Sequence, residues 1–185
     1  MELPGSFCNF DKVQEVILKL KDEGAEVIPI VSTMTSDITT RFYKKEEFIK
    51  MLEDNTSNSV IDTIVKAEPI GPKNMLDILL ICPCTGNTAA KLANGITDTP
   101  ILMAVKSHIR NNKPVVIGIS TNDGLGQNLK NIAELLNNKN TYFVPFNQDD
   151  YINKPKSLVC DYNKIIDTVK LALDNKQIQP IISLK

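Results

Sequence analysis

Apolar residues recur along the chain with two periods, one helical and one extended. Val13, Val16, Ile17 and Leu20 stand at helical spacing ahead of a charged turn and Gly24, which predicts a helix from about Asp11 to Glu23 stopped at that glycine. Glu26-Val27-Ile28-Pro29-Ile30-Val31 reads as a short buried strand, Ser32 to Thr40 as polar loop, and Lys44 to Asp54 as a second helix burying Phe48, Met51 and Leu52. Val60 to Ala67 is apolar at alternate and helical spacings alike and carries no assignment; Pro69, Gly71 and Pro72 break it.

From Ile78 onward the pattern is regular. It predicts strand Ile78 to Cys82, helices from about Asn87 to Asn94 and Pro100 to Ile109, and strand Pro114 to Ile119. Helix Leu125 to Asn137 follows, burying Leu125, Leu129, Ile132, Ala133 and Leu136. Strand Thr141 to Val144, a polar loop through Lys156, and a helix burying Ile165, Ile166, Val169 and Leu173 complete the series. Short apolar strands alternating with amphipathic helices predict a three-layer α/β fold, a parallel sheet with helices on both faces. No repeat, linker or low-complexity tract divides the 185 residues, so residues 1–185 read as one domain.

Charge removes several function classes. Lys and Arg number 21 against 22 Asp and Glu, a formal charge of −1, so there is no basic field for a nucleic-acid backbone or a membrane surface. A small anionic ligand remains compatible. The longest apolar runs, Ile78 to Cys82 and Ile101 to Val105, fall far short of the roughly 20 residues that cross a bilayer. Met1-Glu2-Leu3-Pro4 lacks the basic start and apolar stretch of a secretory signal, which predicts a cytoplasmic address. Cys8, Cys82, Cys84 and Cys160 lack zinc-site spacing and read as reduced thiols, with no metal site expected.

In such a fold ligands bind beyond the carboxyl ends of the strands. Four turns sit there or open the first helix: Gly5-Ser6-Phe7-Cys8, Ser32-Thr33-Met34-Thr35, Pro83-Cys84-Thr85-Gly86-Asn87-Thr88 and Ser120-Thr121-Asn122-Asp123. Each is rich in hydroxyls and amides, which suits an anion held at helix N-termini and equally suits ordinary helix capping. Four at one sheet edge point to a phosphate-bearing ligand.

The stretch from Pro83-Cys84-Thr85-Gly86-Asn87-Thr88 to Asn94-Gly95 resembles the strand-to-helix signature of flavodoxin-like FMN proteins, among them phosphopantothenoylcysteine decarboxylases and flavin prenyltransferases. Gly5-Ser6 is similar to their first phosphate-binding turn, and Asn122 matches a second asparagine of the decarboxylase branch. Thr40-Arg41-Phe42, Val60 to Val65, Ala67-Glu68-Pro69, Gly71-Pro72-Lys73, Gly118 to Asp123 and Tyr142 to Phe146 followed by Gln148-Asp149-Asp150 narrow the resemblance to the family of dipicolinate synthase B subunits. That resemblance implies a role in sporulation, forming pyridine-2,6-dicarboxylate from a dihydrodipicolinate-type precursor of the lysine pathway. The partner implied is the A component of the same synthase, a dehydrogenase carrying NAD(P), and the assembly implied is a homo-oligomer. Gly5, Ser6, Phe7, Thr33, Thr85, Gly86, Asn87 and Thr88 would surround FMN, chiefly its phosphate and ribityl chain, while Arg41 and Asn122 would hold a dicarboxylate substrate. Alternatives of other classes are an FMN-dependent decarboxylase or prenyltransferase, and a non-catalytic scaffold for the partner dehydrogenase.

Two departures from the family pattern shape these expectations. Only Met1 to Pro4 precede the Gly-Ser turn, so the first strand reads as truncated. The single histidine, His108, follows the Pro83 signature, whereas the decarboxylase branch places its histidine before it; His108 is expected at a surface or interface rather than as a base. Asp149 and Asp150 are candidates for proton transfer or for an exposed acidic turn. Cys84 reads as a buried filler beneath a cofactor, and Glu68 as a turn residue.

Overall fold

A computed structural model describes residues 10–32 and 45–183. Helix α1 (Phe10–Asp22) buries Val13, Val16 and Ile17. It ends because Gly24 adopts φ +84°, a left-handed conformation open to glycine, with its N–H bonded to Lys21 O at 2.8 Å and Ala25 N–H to Leu20 O at 3.0 Å. The strand anticipated over Glu26 to Val31 is reduced, among the described residues, to a parallel bridge of Ile30 with Ile61. Pro29 has no N–H to give a ladder, and Val31 N–H to Ile61 O and Ile61 N–H to Pro29 O, each 2.9 Å, form around it. Helix α2 (Lys45–Thr56) buries Phe48 and Leu52 and leaves Met51 half-buried. The unassigned stretch divides into that bridge and α3 (Ile64–Ala67), capped by Thr63 Oγ1, which accepts Lys66 N–H at 3.2 Å. Glu68 opens a 3-10 turn with Pro69.

The sheet contains β1 (Leu79–Cys84), β2 (Val115–Thr121), β3 (Thr141–Phe143), β4 (Phe146–Asn147) and β5 (Leu158–Cys160). β1 and β3 flank β2 in parallel, with Leu79 opposite Val115 and Val115 opposite Thr141. The far end of β2 pairs instead with β5, antiparallel, Ser120 opposite Val159, and β4 lies outside β5. The sheet is therefore mixed rather than wholly parallel. A parallel return needs a crossover helix, and the polar stretch between β4 and β5 supplies only a loop. Asp149 and Asp150 hold that loop: Asp149 Oδ1 accepts the Ser157 hydroxyl, and Asp150 Oδ1 accepts Asn153 N–H at 3.0 Å. These bonds hold both carboxyls below the ordinary aspartate value, that of Asp149 chiefly through Ser157 and that of Asp150 through Asn153. Through these bonds both residues anchor the loop, as in the acidic turn that sequence allowed.

Side chains alternate between two cores, as the pleat requires. Ile81, Val115, Ile117 and Ile119 pack toward α3, α4 (Gly86–Ala93), α5 (Pro100–Ile109) and α6 (Leu129–Asn137). Cys82 and Val116 pack toward α1 and α7 (Ile165–Leu173) on the opposite face. Helices thus cover both faces, and none of the described helices is long and apolar enough to cross a membrane. Two helical faces differ from expectation. In α6 the buried residues are Asn131, Ile132 and Leu135, while Leu129, Ala133 and Leu136 face outward, and Leu125, expected to open the helix, lies exposed in the turn ahead of it. A polar contact near Asn128 sets this face, where apolar periodicity alone would have chosen the leucines. In α7, Ile165 and Val169 are buried, Ile166 is half-buried and Leu173 is 49% exposed.

His108 also departs from its expected place, being 1% exposed. Its Nε2 lies 3.0 Å from Pro114 O, which can only accept, so Nε2 carries the proton, and Nδ1 has no partner. Burial lowers its pKa, because the charged ring would be desolvated. The unfolded chain then binds more protons than the native state, so stability should fall as pH drops below about 6.5, by at most about 1.4 kcal/mol per pH unit. Urea unfolding between pH 7.5 and 5.5 checks this: His108→Gln, which keeps the Nε donor, should lose that pH slope.

Candidate functional site

β1 delivers the chain to Thr85, whose extended backbone opens α4. Thr85 Oγ1 accepts Thr88 N–H at 3.1 Å and donates to Thr88 Oγ1 at 3.1 Å. The first helical bond, Ala89 N–H to Thr85 O, is 2.9 Å. The N–H groups of Gly86 and Asn87 precede it, leaving two main-chain donors at a helix start where the macrodipole favours acceptor oxygens. Asn87 is exposed, Gly86 and Thr88 are buried, and Cys84 beneath them is 0% exposed.

The turn after β2 docks against this helix start. Thr121 Oγ1 donates to Asp123 Oδ1 at 2.6 Å, Asn128 Nδ2 reaches both Asp123 oxygens at 2.9 Å, and Asn131 Nδ2 donates to Asn128 Oδ1 at 2.8 Å. The Thr121 hydroxyl first, then the Asn128 amide, hold the Asp123 carboxyl below its ordinary value, so it is charged at neutral pH. A Cβ on Gly86 would fall against Asn128 Nδ2, 2.7 Å from Thr121 Oγ1 and 3.0 Å from Asp123 Oδ1. Glycine at this position therefore lets the polar chain seat under α4. On its other side the turn meets β5: a Cβ on Gly124 would lie 2.8 Å from Leu158 side-chain atoms, and Leu125 N–H bonds to Lys156 O at 2.9 Å.

Electrostatics divide the site. A charged carboxylate beside Gly86 works against a dianion placed directly there and favours a ligand portion bearing hydroxyls, which donate as well as accept. The main-chain donors of Gly86 and Asn87 suit the oxygens of such a polyol.

Sequence-predicted residues fall into two groups. Thr85, Gly86, Asn87 and Thr88 form one turn, and Asn122 is exposed on the adjoining one. Gly5, Ser6, Phe7, Thr33 and Arg41 lie outside the described residues. Asp123 ends a turn already expected at the site, whereas Asn128 and Asn131 were not anticipated as site residues. Their one signal is that Asn128 and Asn131 share helical spacing with Ile132 and Leu135, so two amides stand on an otherwise apolar face. His108 contacts Pro114 at the opposite end of β2, about 20 Å away by strand length. Cys82 and Cys160 lie with sulfurs 3.8 Å apart; the neighbouring Cys82 thiol and burial push the Cys160 thiol up, which makes it a poor nucleophile.

A family model described as Flavoprotein matches residues 2–173. The dipicolinate synthase B subunit of Bacillus subtilis (strain 168) is 49% identical over 180 residues, covering 97% of this chain and 90% of that protein. The chain belongs to the Flavoprotein family, among the dipicolinate synthase B subunits. The crystal structure of the dipicolinate synthase B subunit from Bacillus halodurans C superposes with a TM-score of 0.90 at 43% identity, covering 100% of this chain and 94% of that one. The FMN-dependent cysteine decarboxylase SpaF shares the fold, with a TM-score of 0.68 at 19% identity over 94% of this chain and 93% of its own. The flavodoxin-like architecture implied by the sequence resemblance therefore holds.

Proposed function

We propose that this protein is the B component of a dipicolinate synthase, acting with a dehydrogenase component to form pyridine-2,6-dicarboxylate from a dihydrodipicolinate-type precursor, and that it binds FMN. The observation that carries the reading is 49% identity across 97% of the chain to a B subunit, with the candidate site at the carboxyl edge of the sheet. Aromatising the precursor removes two electrons and two protons, and NAD(P) on the partner can take the hydride. Bound FMN would supply a second two-electron acceptor.

The work of this chain is binding and orientation. Gly86 and Asn87 N–H groups hold ribityl or phosphoryl oxygens, and Thr85, by capping Thr88, fixes where those donors point. Gly5, Ser6, Phe7, Thr33 and Thr88 would complete the FMN set, whose phosphate needs several short donors. Arg41 and Asn122 hold the carboxylates of the substrate. A scaffold role is the second reading, favoured by one observation: Asp123, the carboxylate at the described site, is already committed to Thr121 and Asn128.

Asn87→Asp separates the readings. A carboxylate in the first turn of α4 is favourable to the helix dipole, so stability should be unchanged or slightly higher, while repulsion should weaken FMN binding about tenfold or more. Fluorescence titration with FMN measures the second effect and thermal unfolding the first. Dipicolinate formation by the protein reconstituted with the dehydrogenase component should fall in step with flavin occupancy. Unchanged turnover with lost flavin would favour the scaffold reading.

A further inference from the structure

Helix α6 lies at the margin of its layer: it packs on α4 and on β3, and β3 pairs with β2 alone among the described strands. Its nine residues, about 13 Å of helix, turn Asn131, Ile132 and Leu135 inward. At 100° per residue, Ala133 falls near the middle of the outward face, with Leu129 and Leu136 to one side of it and Lys130 and Glu134 to the other. Leu129 and Leu136 are 48% and 40% exposed. A single exposed leucine needs no explanation, but two leucines aligned along one open helix face form a strip that this chain's own core leaves uncovered.

The charges beside the strip are also unused. Neither Lys130 nor Glu134 meets an opposite charge among the described residues. They stand one turn apart on the same helix, but with the base ahead of the acid, the weaker order for pairing within a helix. The face matches itself when turned end for end about Ala133. Leu129 of one copy then meets Leu136 of the other, Lys130 meets Glu134, and each contact occurs twice, as an isologous interface requires. The small side chain of Ala133 at the crossing lets the two axes approach to about 8 Å.

We propose that the outward face of α6 is a docking surface for a second copy of this chain, the two α6 helices pairing antiparallel about a two-fold axis at Ala133. The leucines supply apolar burial, and the Lys130–Glu134 contacts fix register and direction. Three turns of helix cover well under the roughly 800 Å² per partner of a stable complex, so the pair is reversible, with a Kd in the micromolar range or weaker. Asn128, just ahead of α6, donates to Asp123 beside Gly86, so the two candidate sites of the pair lie at opposite ends of one seam. The inference stands apart from the flavin reading, because no residue of the seam is assigned to the ligand.

Sedimentation velocity of the whole chain from about 5 to 500 µM tests the pairing. The smallest assembly present should double in mass as concentration rises. Lys130→Glu and Glu134→Lys each set like charges against one another at both ends of the seam, and each should raise Kd about tenfold. The double exchange, Lys130→Glu with Glu134→Lys, re-forms both contacts with their signs swapped and should return Kd to within about threefold of the unaltered chain. Ala133→Leu adds apolar surface, so an unspecific apolar contact would tighten, whereas a crossing at Ala133 should weaken about tenfold or more. All three positions are exposed, so thermal midpoints should stay within about 3 °C, which separates lost docking from lost folding. No doubling by the unaltered chain, single variants that associate as it does, or a double variant as weak as the singles would each overturn the proposal. Single variants that keep doubling but lose a dehydrogenase component would overturn it too, and assign the face to that component.

Discussion

Gly86→Ala should destabilise the protein by about 2–3 kcal/mol, although alanine is the better helix former. Propensity alone would give a gain of up to about 1 kcal/mol at an open helical position. Here the added methyl falls among Asn128 Nδ2, Thr121 Oγ1 and Asp123 Oδ1. To make room, either α4 lifts from the β2 turn or the turn gives up the bonds of Asp123, each worth about 1 kcal/mol net. Urea unfolding reads the stability. Because α4 would lift at its first turn, the variant should also lose FMN affinity in the same titration that follows Asn87→Asp. A neutral or stabilising effect would show that Gly86 is not pressed against the polar chain.

Asn128→Asp should cost about 2–4 kcal/mol at neutral pH and recover much of that loss on acidification, whereas Asn128→Ala should be destabilised without recovery. Asn128 is 8% exposed, and its amide donates to both oxygens of Asp123 at 2.9 Å. The substitution replaces that donor with an acceptor of the same shape, bringing two carboxylates together in a largely buried place. One of them must hold a proton, so its folded pKa rises above the unfolded value near 3.9. The native state then binds more protons than the unfolded chain, and stability falls as pH rises above about 4. Stability measured at pH 7.5 and 5 in both variants separates a charge effect, which recovers, from lost packing, which does not.

The alternation β1, α4, α5, β2 was legible because its apolar runs are long and bounded by Pro83, Pro100 and Pro114, so α5 has the expected bounds and the other boundaries differ by one or two residues. β4 and β5, with two and three residues, are too short to show a period, and the sheet looked wholly parallel without them. In α6 the outward leucines follow the same 3.6 spacing as the buried residues, and a buried amide pair decides between two faces that hydropathy cannot rank. His108 is the same problem in another place. A lone polar ring reads as surface until a carbonyl such as that of Pro114 is seen to meet it. At the site, the donors of Thr85 to Thr88 were readable from local capping chemistry. Asp123 and its partners act through long-range docking on Gly86, which spacing along the chain does not reveal.

On the proposed function, the start of α4 holds a flavin. The most direct measurement is an amide-resolved NMR titration of the whole protein with FMN. Saturable shifts are expected at Gly86 and Asn87, with His108, at the opposite end of β2, unmoved. Binding that leaves Gly86 and Asn87 unshifted, or no binding at all, would contradict it.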